Sequence, residues 1–400
     1  MMNRKIHIGL LGRILIGMCL GVGAGFIAPD WVGNLMATFN YVFSQFLGFL
    51  IPLIIVGFVT PAIADIGSKA GKMLIVTAAI AYFATLLAGF TSFLTADTVF
   101  PTLLHGQVMP GEATSTSAAS SPYFTIDIPS LMPVTTALVF AFMLGLGCAY
   151  IKGVTLRNVL YDLRDVVSLT INKAVIPLLP IYICGIFMSM TMEGKVVAIL
   201  TAFSKIILII FLLHIGILLF QYCVAAIFFR RNPLKMLWIM LPAYFTALGT
   251  QSSAATIPVT LRRAILMGVN EEIAGFVVPL CATIHMSGST LKIVACAIAL
   301  MILQGIPYDV GVVSQFIAML GITIIAAPGI PGGAIMASLG LLSSILGFSD
   351  AQNAMMIALY IAMDSFGTAC NVTGDGAIAA IVDRIFRKEI KKPAADAINN

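Results

Sequence analysis

The chain has 400 residues, of which 60% are hydrophobic and 10% charged, and its mean hydropathy is +1.04. Soluble domains average about 45–50% apolar and about 25% charged residues, so this composition excludes an ordinary water-soluble fold. The formal net charge of +5 does not indicate nucleic-acid binding, because the 22 lysines and arginines lie almost entirely in short gaps between apolar segments. The composition predicts a polytopic membrane protein.

Two features that often indicate other classes of protein have simpler interpretations here. The seven cysteines are scattered, and no pair has the two-residue spacing of a zinc or redox motif, so we interpret them as packing residues. Arg4-Lys5 precedes an apolar run to Ile27, as in a signal peptide. That run is about 20 residues long, beyond the 7–15 of a signal-peptide core, which favours a first membrane span.

The first 229 residues predict six conventional membrane spans. Each apolar segment has the roughly 20 residues that a span requires: 8–28, 36–63, 73–100, 132–151, 166–192 and 197–229. Clusters of Lys and Arg alternate with gaps that have almost none, and the positive-inside rule assigns the clusters to the cytoplasm. The loop 101–131, which has no Lys or Arg, is therefore expected outside, and both termini are expected inside.

Residues 234–268 predict a hairpin that enters the membrane and returns to the same side. Basic residues flank the segment on both sides, and its middle reads Thr250-Gln251-Ser252-Ser253-Ala254-Ala255-Thr256-Ile257-Pro258. Two half-helices, joined by this serine-rich tip and restarted by Pro258, fit a re-entrant hairpin better than a span. The alternative is one kinked helix followed by an amphipathic surface segment.

A second hairpin is predicted for residues 311–344, between two gaps assigned to the outside. Its middle contains two prolines and three glycines, which cannot continue a helix: Ala326-Ala327-Pro328-Gly329-Ile330-Pro331-Gly332-Gly333-Ala334. Interrupted apolar segments in corresponding positions indicate the midplane binding site of a secondary transporter. A Gly/Pro kink in a packing helix is the alternative.

Polar residues also lie within the two spans that flank the second hairpin. Span 273–303 contains a polar cluster at 283–289, where unwinding would free carbonyl groups for a ligand. The last span, about 352–384, places Asp364, Asn371 and Asp375 on one helical stripe. Even lenient scales assign about 2.5–3.5 kcal/mol to an Asp at the centre of a membrane helix, so we interpret both carboxylates as functional. The alternative is a structural role in which Asp375 is paired with Lys292.

These motifs resemble the dicarboxylate/amino acid:cation symporter family, the glutamate transporter homologues. The resemblance is best from about 195 to 387, and its motifs are Thr256-Ile257-Pro258, Ala282-Thr283-Ile284 with Met286 and Gly288, Gly329-Ile330-Pro331-Gly332, and Asn371-Val372-Thr373-Gly374-Asp375. It implies a fold of eight transmembrane helices plus two re-entrant helical hairpins, a homotrimer, and an elevator movement. The implied division is 1–72, scaffold helices 1 and 2; 73–100, transport helix 3; 101–131, outer loop; 132–192, scaffold helices 4 and 5; 193–388, the rest of the transport domain; 389–400, cytoplasmic tail.

The resemblance also implies a role for each matching residue. Substrate would be bound by Asp364 at the ammonium, by Asn371, Ser252 and Ser253 at the carboxylate, and beside them by Thr368, Gly367, Gly329 and Pro331. Physical chemistry agrees, because a buried zwitterion needs an anion for its ammonium and donors for its carboxylate. One sodium ion would be bound by Asn371, Asp375 and carbonyls near Cys281, and a second by Thr283 with hairpin carbonyls.

Departures from the family pattern predict the substrate. Members that carry acidic substrates have an arginine where this chain has Gly367, and some have one where it has Gln251. Without a guanidinium, a second substrate carboxylate would be buried uncompensated, which disfavours glutamate, aspartate and dicarboxylates. We expect a neutral amino acid, with serine or threonine favoured by the hydroxyl-rich site. The space at Gly367 is also compatible with a larger side chain.

Departures at a sodium site predict altered ion coupling. Sodium-coupled members read Asn-Met-Asp-Gly-Thr where this chain reads His285-Met286-Ser287-Gly288-Ser289, and in the third span three further ligands are replaced by Thr77, Ile80 and Ala81. We hypothesise that Lys292, together with His285, supplies positive charge where a third sodium would sit. The alternatives are a hydrogen-bonded core histidine and a lysine that snorkels to the outer interface.

The sequence thus predicts a cation-coupled amino-acid transporter in a bacterial inner membrane rather than an enzyme. Sodium is the expected coupling ion, in fewer copies than in acidic amino acid homologues, and protons are the alternative. A sodium-independent or proton-coupled exchanger, a dicarboxylate symporter and a channel are the alternative functions.

Overall fold

The computed structural model describes residues 10–68, 72–104, 121–151, 154–194, 196–325 and 332–390, and within these ranges the chain is helical and contains no strand. The helices are α1 (Leu10–Ile27), α2 (Asp30–Ser68), α3 (Lys72–Leu103), α4 (Val134–Tyr150), α5 (Thr155–Thr170), α6 (Ile176–Met192), α7 (Val196–Phe229), α8 (Pro233–Thr250), α9 (Ser253–Met267), α10 (Glu271–Ile284), α11 (Ser287–Gln304), α12 (Val310–Ile325), α13 (Gly333–Leu346), α14 (Asp350–Ala362) and α15 (Asp364–Ile390). One π-helical turn, Ile171–Val175, joins α5 to α6.

Several helices of the described chain are long and apolar enough to cross a membrane. By length and composition there are five: Asp30–Pro61, Lys72–Leu103, Thr155–Met192, Val196–Phe229 and Glu271–Gln304. Helices α14 and α15, bent by 61°, make a sixth if they are one span. With 18 and 17 residues, α1 and α4 reach about 26 Å, just below the roughly 30 Å of a bilayer core. The expected total of eight spans stays a prediction.

Helices α8 and α9 pack against each other on either side of the tip Gln251–Ser252. Asn232 caps α8 and Ser252 caps α9 by accepting hydrogen bonds from backbone N–H groups in the first turn. The expectation that Pro258 restarts the second half-helix was wrong. Ser252 caps the N-terminus of α9, so the helix begins at Ser253 and Pro258 lies inside it.

Helices α12 and α13 also pack against each other, and α13 begins after Gly332, whose φ of +76° is in the left-handed region. Of the predicted middle of this hairpin, 326–334, residues 326–331 lie outside the described residues, among them Gly329 and Pro331. The re-entrant course of both helix pairs stays a prediction.

The helices pack in two groups. In one group, α1 packs on α6, and α2 packs on α4, α5 and α6. Methyl groups added at Gly17 and Gly21 of α1 would collide with the carbonyl oxygens of Pro180 and Cys184, so the glycines permit close approach to α6. In the other group, α15 packs against α7, α8, α9, α10 and α11, and α3 packs on α11 and α12. The second group contains both helix pairs and those residues indicated by the sequence for the site that the structure describes.

Candidate functional site

The helix break before α15 places a carboxylate inside the second group of helices. Asp364 is the first residue of α15 and is 4% exposed, and the first-turn position favours its negative charge. Its Oδ1 accepts a hydrogen bond from Lys292 Nζ at 2.8 Å. Its Oδ2 accepts one from the backbone N–H of Gly332 at 2.9 Å. One carboxylate therefore joins α11, α15 and the start of α13.

Lys292 is fully buried, so the alternative that it snorkels to the outer interface was wrong. Its Nζ lies 3.4 Å from the centroid of the Tyr360 ring, at the distance of a cation–π contact. A methyl group added at Gly367 would lie 2.8 Å from the same Nζ. The lysine ammonium thus occupies the space in which a side chain at 367 would begin.

Asn371 caps the second half of the broken helix α10–α11. Its Oδ1 accepts hydrogen bonds from the backbone N–H groups of Gly288, at 2.8 Å, and Ser289, at 3.4 Å. Its Nδ2 donates to Ser289 Oγ at 3.0 Å. The first N–H groups of a helix have no partner within the helix, and Asn371 supplies one from α15. The break at His285–Met286 confirms the interruption predicted for 283–289.

The second buried carboxylate, Asp375, is bonded to a histidine. His285 Nδ1 lies 2.9 Å from Asp375 Oδ1, and the two side chains are 0% and 1% exposed. With Asp375 ionised, its carboxylate only accepts hydrogen bonds, and Nδ1 is then the nitrogen that carries the proton. The backbone N–H of His285 also donates to the carbonyl oxygen of Cys281 at 2.9 Å. His285 is therefore a hydrogen-bonded core residue.

The expected alternative pairing of Asp375 with Lys292 was wrong. Contacts between the two segments run in opposite directions along the chain: His285 meets Asp375, Gly288 meets Asn371, and Lys292 meets Asp364. In this antiparallel register the later basic residue reaches the earlier carboxylate. Lys292 therefore pairs with Asp364 and His285 with Asp375, so the two basic residues do not act together at one carboxylate.

Helix α7 supplies polar partners that the sequence reasoning missed. Gln221 Nε2 lies 3.3 Å from His285 Nε2 and donates to Ser287 Oγ at 3.1 Å, whereas its Oε1 has no partner among the described residues. Rotating this amide would present an acceptor to an imidazolium, so Gln221 can serve either charge state of His285. His214 Nε2 also lies 3.0 Å from Gly288 O. The available signal was the seven-residue spacing of His214 and Gln221 within a very apolar span.

The tip between α8 and α9 reaches the same end of α15. Gln251 has a φ of 54°, a left-handed conformation that is uncommon for residues other than glycine. Its Nε2 donates to Ser365 Oγ at 2.8 Å. Ser252 and the buried Ser253 follow directly, so the N-terminus of α9, where helix N–H groups favour anions, lies near the first turn of α15.

Comparison of the sequence with known proteins identifies the family of the chain. The family model of the sodium:dicarboxylate symporter family matches residues 10–385. The chain belongs to this family. Two relatives are serine/threonine transporters SstT from Acinetobacter baumannii strains AYE and AB307-0294, each 26% identical over 396 residues, covering 94% of this chain and 97% of theirs. A sodium:dicarboxylate symporter is a multi-pass membrane transporter, not an enzyme, and these relatives support cation-coupled transport of an amino acid.

Several oxygens of the sodium site that the sequence predicted around Asp375 already have hydrogen-bond partners in this arrangement, and the site stays a prediction. Asp375 Oδ1 is bonded to His285, Asn371 Oδ1 accepts from two backbone N–H groups, and the Cys281 carbonyl accepts from the His285 N–H. The His285 imidazole thus takes up one oxygen of the predicted sodium site, and backbone N–H groups take up the others. The described residues also contain no group of three or more His, Cys, Asp and Glu side chains suited to a metal ion.

Two other predicted site residues have different surroundings. Thr283 is exposed, and its hydroxyl donates to Leu280 O at 2.8 Å, so the structure does not bring it to the buried cluster of Asn371 and Asp375. Thr368 is 7% exposed and lies one helical turn after Asp364. This spacing puts the two side chains on the same face of α15, which the predicted role beside the ammonium requires.

Proposed function

We propose that this protein is a secondary active transporter of a neutral amino acid, with serine or threonine favoured, driven by a cation gradient. Asp364 carries the proposal, because it is a buried carboxylate at a helix start where α9, α11 and α13 meet α15. Its Oδ2 accepts a hydrogen bond from the backbone N–H of Gly332, a neutral donor that a substrate ammonium can replace. Replacing that bond would also move the start of α13, where Gly332 contacts Asp364.

The substrate carboxylate is assigned to the opposite side of this space. The N-terminus of α9, with Ser252 and Ser253, offers backbone N–H groups and hydroxyls to an anion. Asn371 would bind the carboxylate through Nδ2, which now donates to Ser289 Oγ and would have to turn from it. Thr368, Gly367, Gly329 and Pro331 complete the proposed lining.

The charges of the site support a neutral substrate. The cation nearest the Gly367 position is Lys292, and its charge is compensated by Asp364 at 2.8 Å. A second substrate carboxylate would therefore bring a buried negative charge without a free partner. The name of the serine/threonine transporter relatives, which are 26% identical, agrees with this choice.

The ion coupling is proposed to involve fewer sodium ions than in acidic amino acid homologues. Support comes from His285, whose imidazole is bonded to the carboxylate expected to bind one of them. The same observation favours a second candidate, a sodium-independent exchanger, if the remaining predicted site at Thr283 and the second hairpin also binds no sodium.

The movement is proposed to be an elevator. The group formed by α3 and α7–α15 would carry the site, and the group formed by α1, α2 and α4–α6 would be the static scaffold of a homotrimer. The closer packing within each group than between the two groups supports the division. A bacterial inner membrane with both termini in the cytoplasm is the proposed location.

Uptake into proteoliposomes tests this function. Radiolabelled serine, threonine, alanine and aspartate are supplied with inward sodium and proton gradients imposed separately. We expect serine or threonine uptake that a sodium gradient accelerates and unlabelled substrate saturates. Strong aspartate uptake would contradict the specificity, a linear rise of flux with concentration would indicate a channel, and exchange without any gradient dependence would favour the second candidate.

A further inference from the structure

Lys292 is the one lysine or arginine with a fully buried side chain among the described residues. Its ammonium is 2.8 Å from Asp364 Oδ1 and faces the Tyr360 ring at 3.4 Å. A carboxylate at this distance compensates the charge, and an aromatic face attracts a cation. The side chain is thus built to remain charged inside the helix bundle, although no part of it reaches the surface.

The two oxygens of Asp364 have different partners. Lys292 holds Oδ1, and the Gly332 N–H holds Oδ2. An amino-acid ammonium can replace the neutral N–H at Oδ2 without expelling Lys292 from Oδ1. Because a neutral amino acid is a zwitterion, the site then has the same net charge when it is loaded and when it is empty.

We infer that Lys292 is a tethered counter-ion that allows the empty carrier to reorient across the membrane. The inference rests on the proposed function. Net transport by alternating access requires the empty site to return, and a buried carboxylate without a cation beside it is costly. Lys292 supplies that cation permanently, so the return requires neither a second amino acid nor a counter-transported ion at Asp364.

A purely structural role makes a different prediction. If Lys292 only fastened α11 to α14 and α15, its loss would lower the stability of the protein and slow every mode of transport alike. A counter-ion role affects net transport and not exchange. The substrate ammonium compensates Asp364 in the loaded carrier, and only the empty carrier depends on Lys292.

The experiment compares two fluxes from proteoliposomes that contain the full chain and radiolabelled serine, with equal sodium and pH on both sides. Exchange is efflux into unlabelled serine, and net efflux is efflux into a medium without amino acid. For the unmodified protein we expect the two rates to be of the same order. Lys292→Met should retain exchange and lose net efflux by about a hundredfold, because it leaves Asp364 unpaired only in the empty carrier.

Lys205→Met is the matched control, because Lys205 lies on α7 and its Nζ donates to Leu103 O at 3.0 Å, outside the site. It should change neither rate. Rapid net efflux by Lys292→Met, or an equal loss of both fluxes in a folded Lys292→Met protein, would overturn the inference. If that variant does not fold, the two fluxes of the unmodified protein test the inference. Exchange without net efflux would overturn the inference and leave the proposed function unaffected. Absence of serine, threonine and alanine exchange contradicts the proposed function itself.

Discussion

His285 Nδ1 is bonded to Asp375 Oδ1 at 2.9 Å, so an imidazole fills a position where the family resemblance led us to expect a sodium ion. The contact joins the break between α10 and α11 to the middle of α15 and is fully buried. A side chain that is part of the protein cannot leave with the substrate. Under the proposed function, the contact would remove one ion from the transported set while keeping the carboxylate hydrogen-bonded.

Replacing this histidine should restore a requirement for sodium. His285→Asn removes the imidazole and leaves Asp375 buried with a weaker partner, which destabilises the fold unless a cation binds. We expect sodium to raise the melting temperature of the variant well above its value in choline, by mass action on the folded state. The unmodified protein, measured in the same two salts, should shift less. Equal shifts in both proteins would show that His285 does not replace a sodium ion.

Asp364→Asn should abolish amino-acid binding. An amide cannot compensate an ammonium, and loss of one partner from a buried charged hydrogen bond typically costs about 2–5 kcal/mol, or roughly thirtyfold to several thousandfold in affinity. Binding of labelled serine to purified protein measures the effect, and a size-exclusion profile checks the assembly. The control is Asp165→Asn, on the surface of α5 with 69% side-chain exposure, which should bind normally. Retained affinity in Asp364→Asn would remove Asp364 from the ammonium role.

The apolar helices and the interruption at 283–289 could be predicted because their causes are local, whereas the break at Met363 before α15 was not predicted. Apolar runs of about 20 residues indicate spans, and Ser252, Pro328 or the cluster at 283–289 interrupt the pattern within one segment. The stripe of Asp364, Asn371 and Asp375 also follows from helical spacing alone. These signals require no knowledge of which helix is the neighbour.

The partners of these residues could not be predicted, because they depend on the register between distant segments. Lys292 and Asp364 are 72 residues apart, and only the antiparallel approach of α11 and α15 determines that they meet instead of Lys292 and Asp375. The donor at Asp364 Oδ2 is the backbone of Gly332, which has no side-chain signature. Gln221 was missed because it lies inside the most apolar span of the chain.

Two substitutions at Gln251 should separate the effect of its left-handed backbone from the effect of its side-chain hydrogen bond. Gln251→Gly and Gln251→Ala both remove the hydrogen bond to Ser365, and we expect both to weaken serine binding about fivefold. Only alanine keeps the left-handed strain, which costs an L residue about 1–2 kcal/mol. Thermal unfolding should therefore show the glycine variant to be the more stable of the two. Equal stability would mean that the tip relaxes to another conformation.

Two glycines of α1 should respond oppositely to the same substitution. A methyl group at Gly21 collides with the Cys184 carbonyl, whereas one at Gly23 has no neighbour within 4 Å. We expect Gly21→Ala to destabilise the protein by about 1–3 kcal/mol, and Gly23→Ala to stabilise it by about 0.5–1 kcal/mol through helix propensity. Unfolding of the purified variants in detergent measures both. A neutral Gly21→Ala would show that α1 and α6 are less closely packed than the structure places them.

An arginine at position 367 should not confer transport of acidic substrates by itself. Its Cβ would lie 2.8 Å from Lys292 Nζ, so Gly367→Arg puts a second cation into space that is already filled. The double variant Gly367→Arg/Lys292→Ala frees that space. The new arginine is then the one cation there, and a substrate carboxylate can pair with it. We expect aspartate to inhibit labelled serine uptake in the double variant and not in either single variant. Inhibition by aspartate in Gly367→Arg alone would mean that Lys292 moves aside readily and does not determine the specificity of the site.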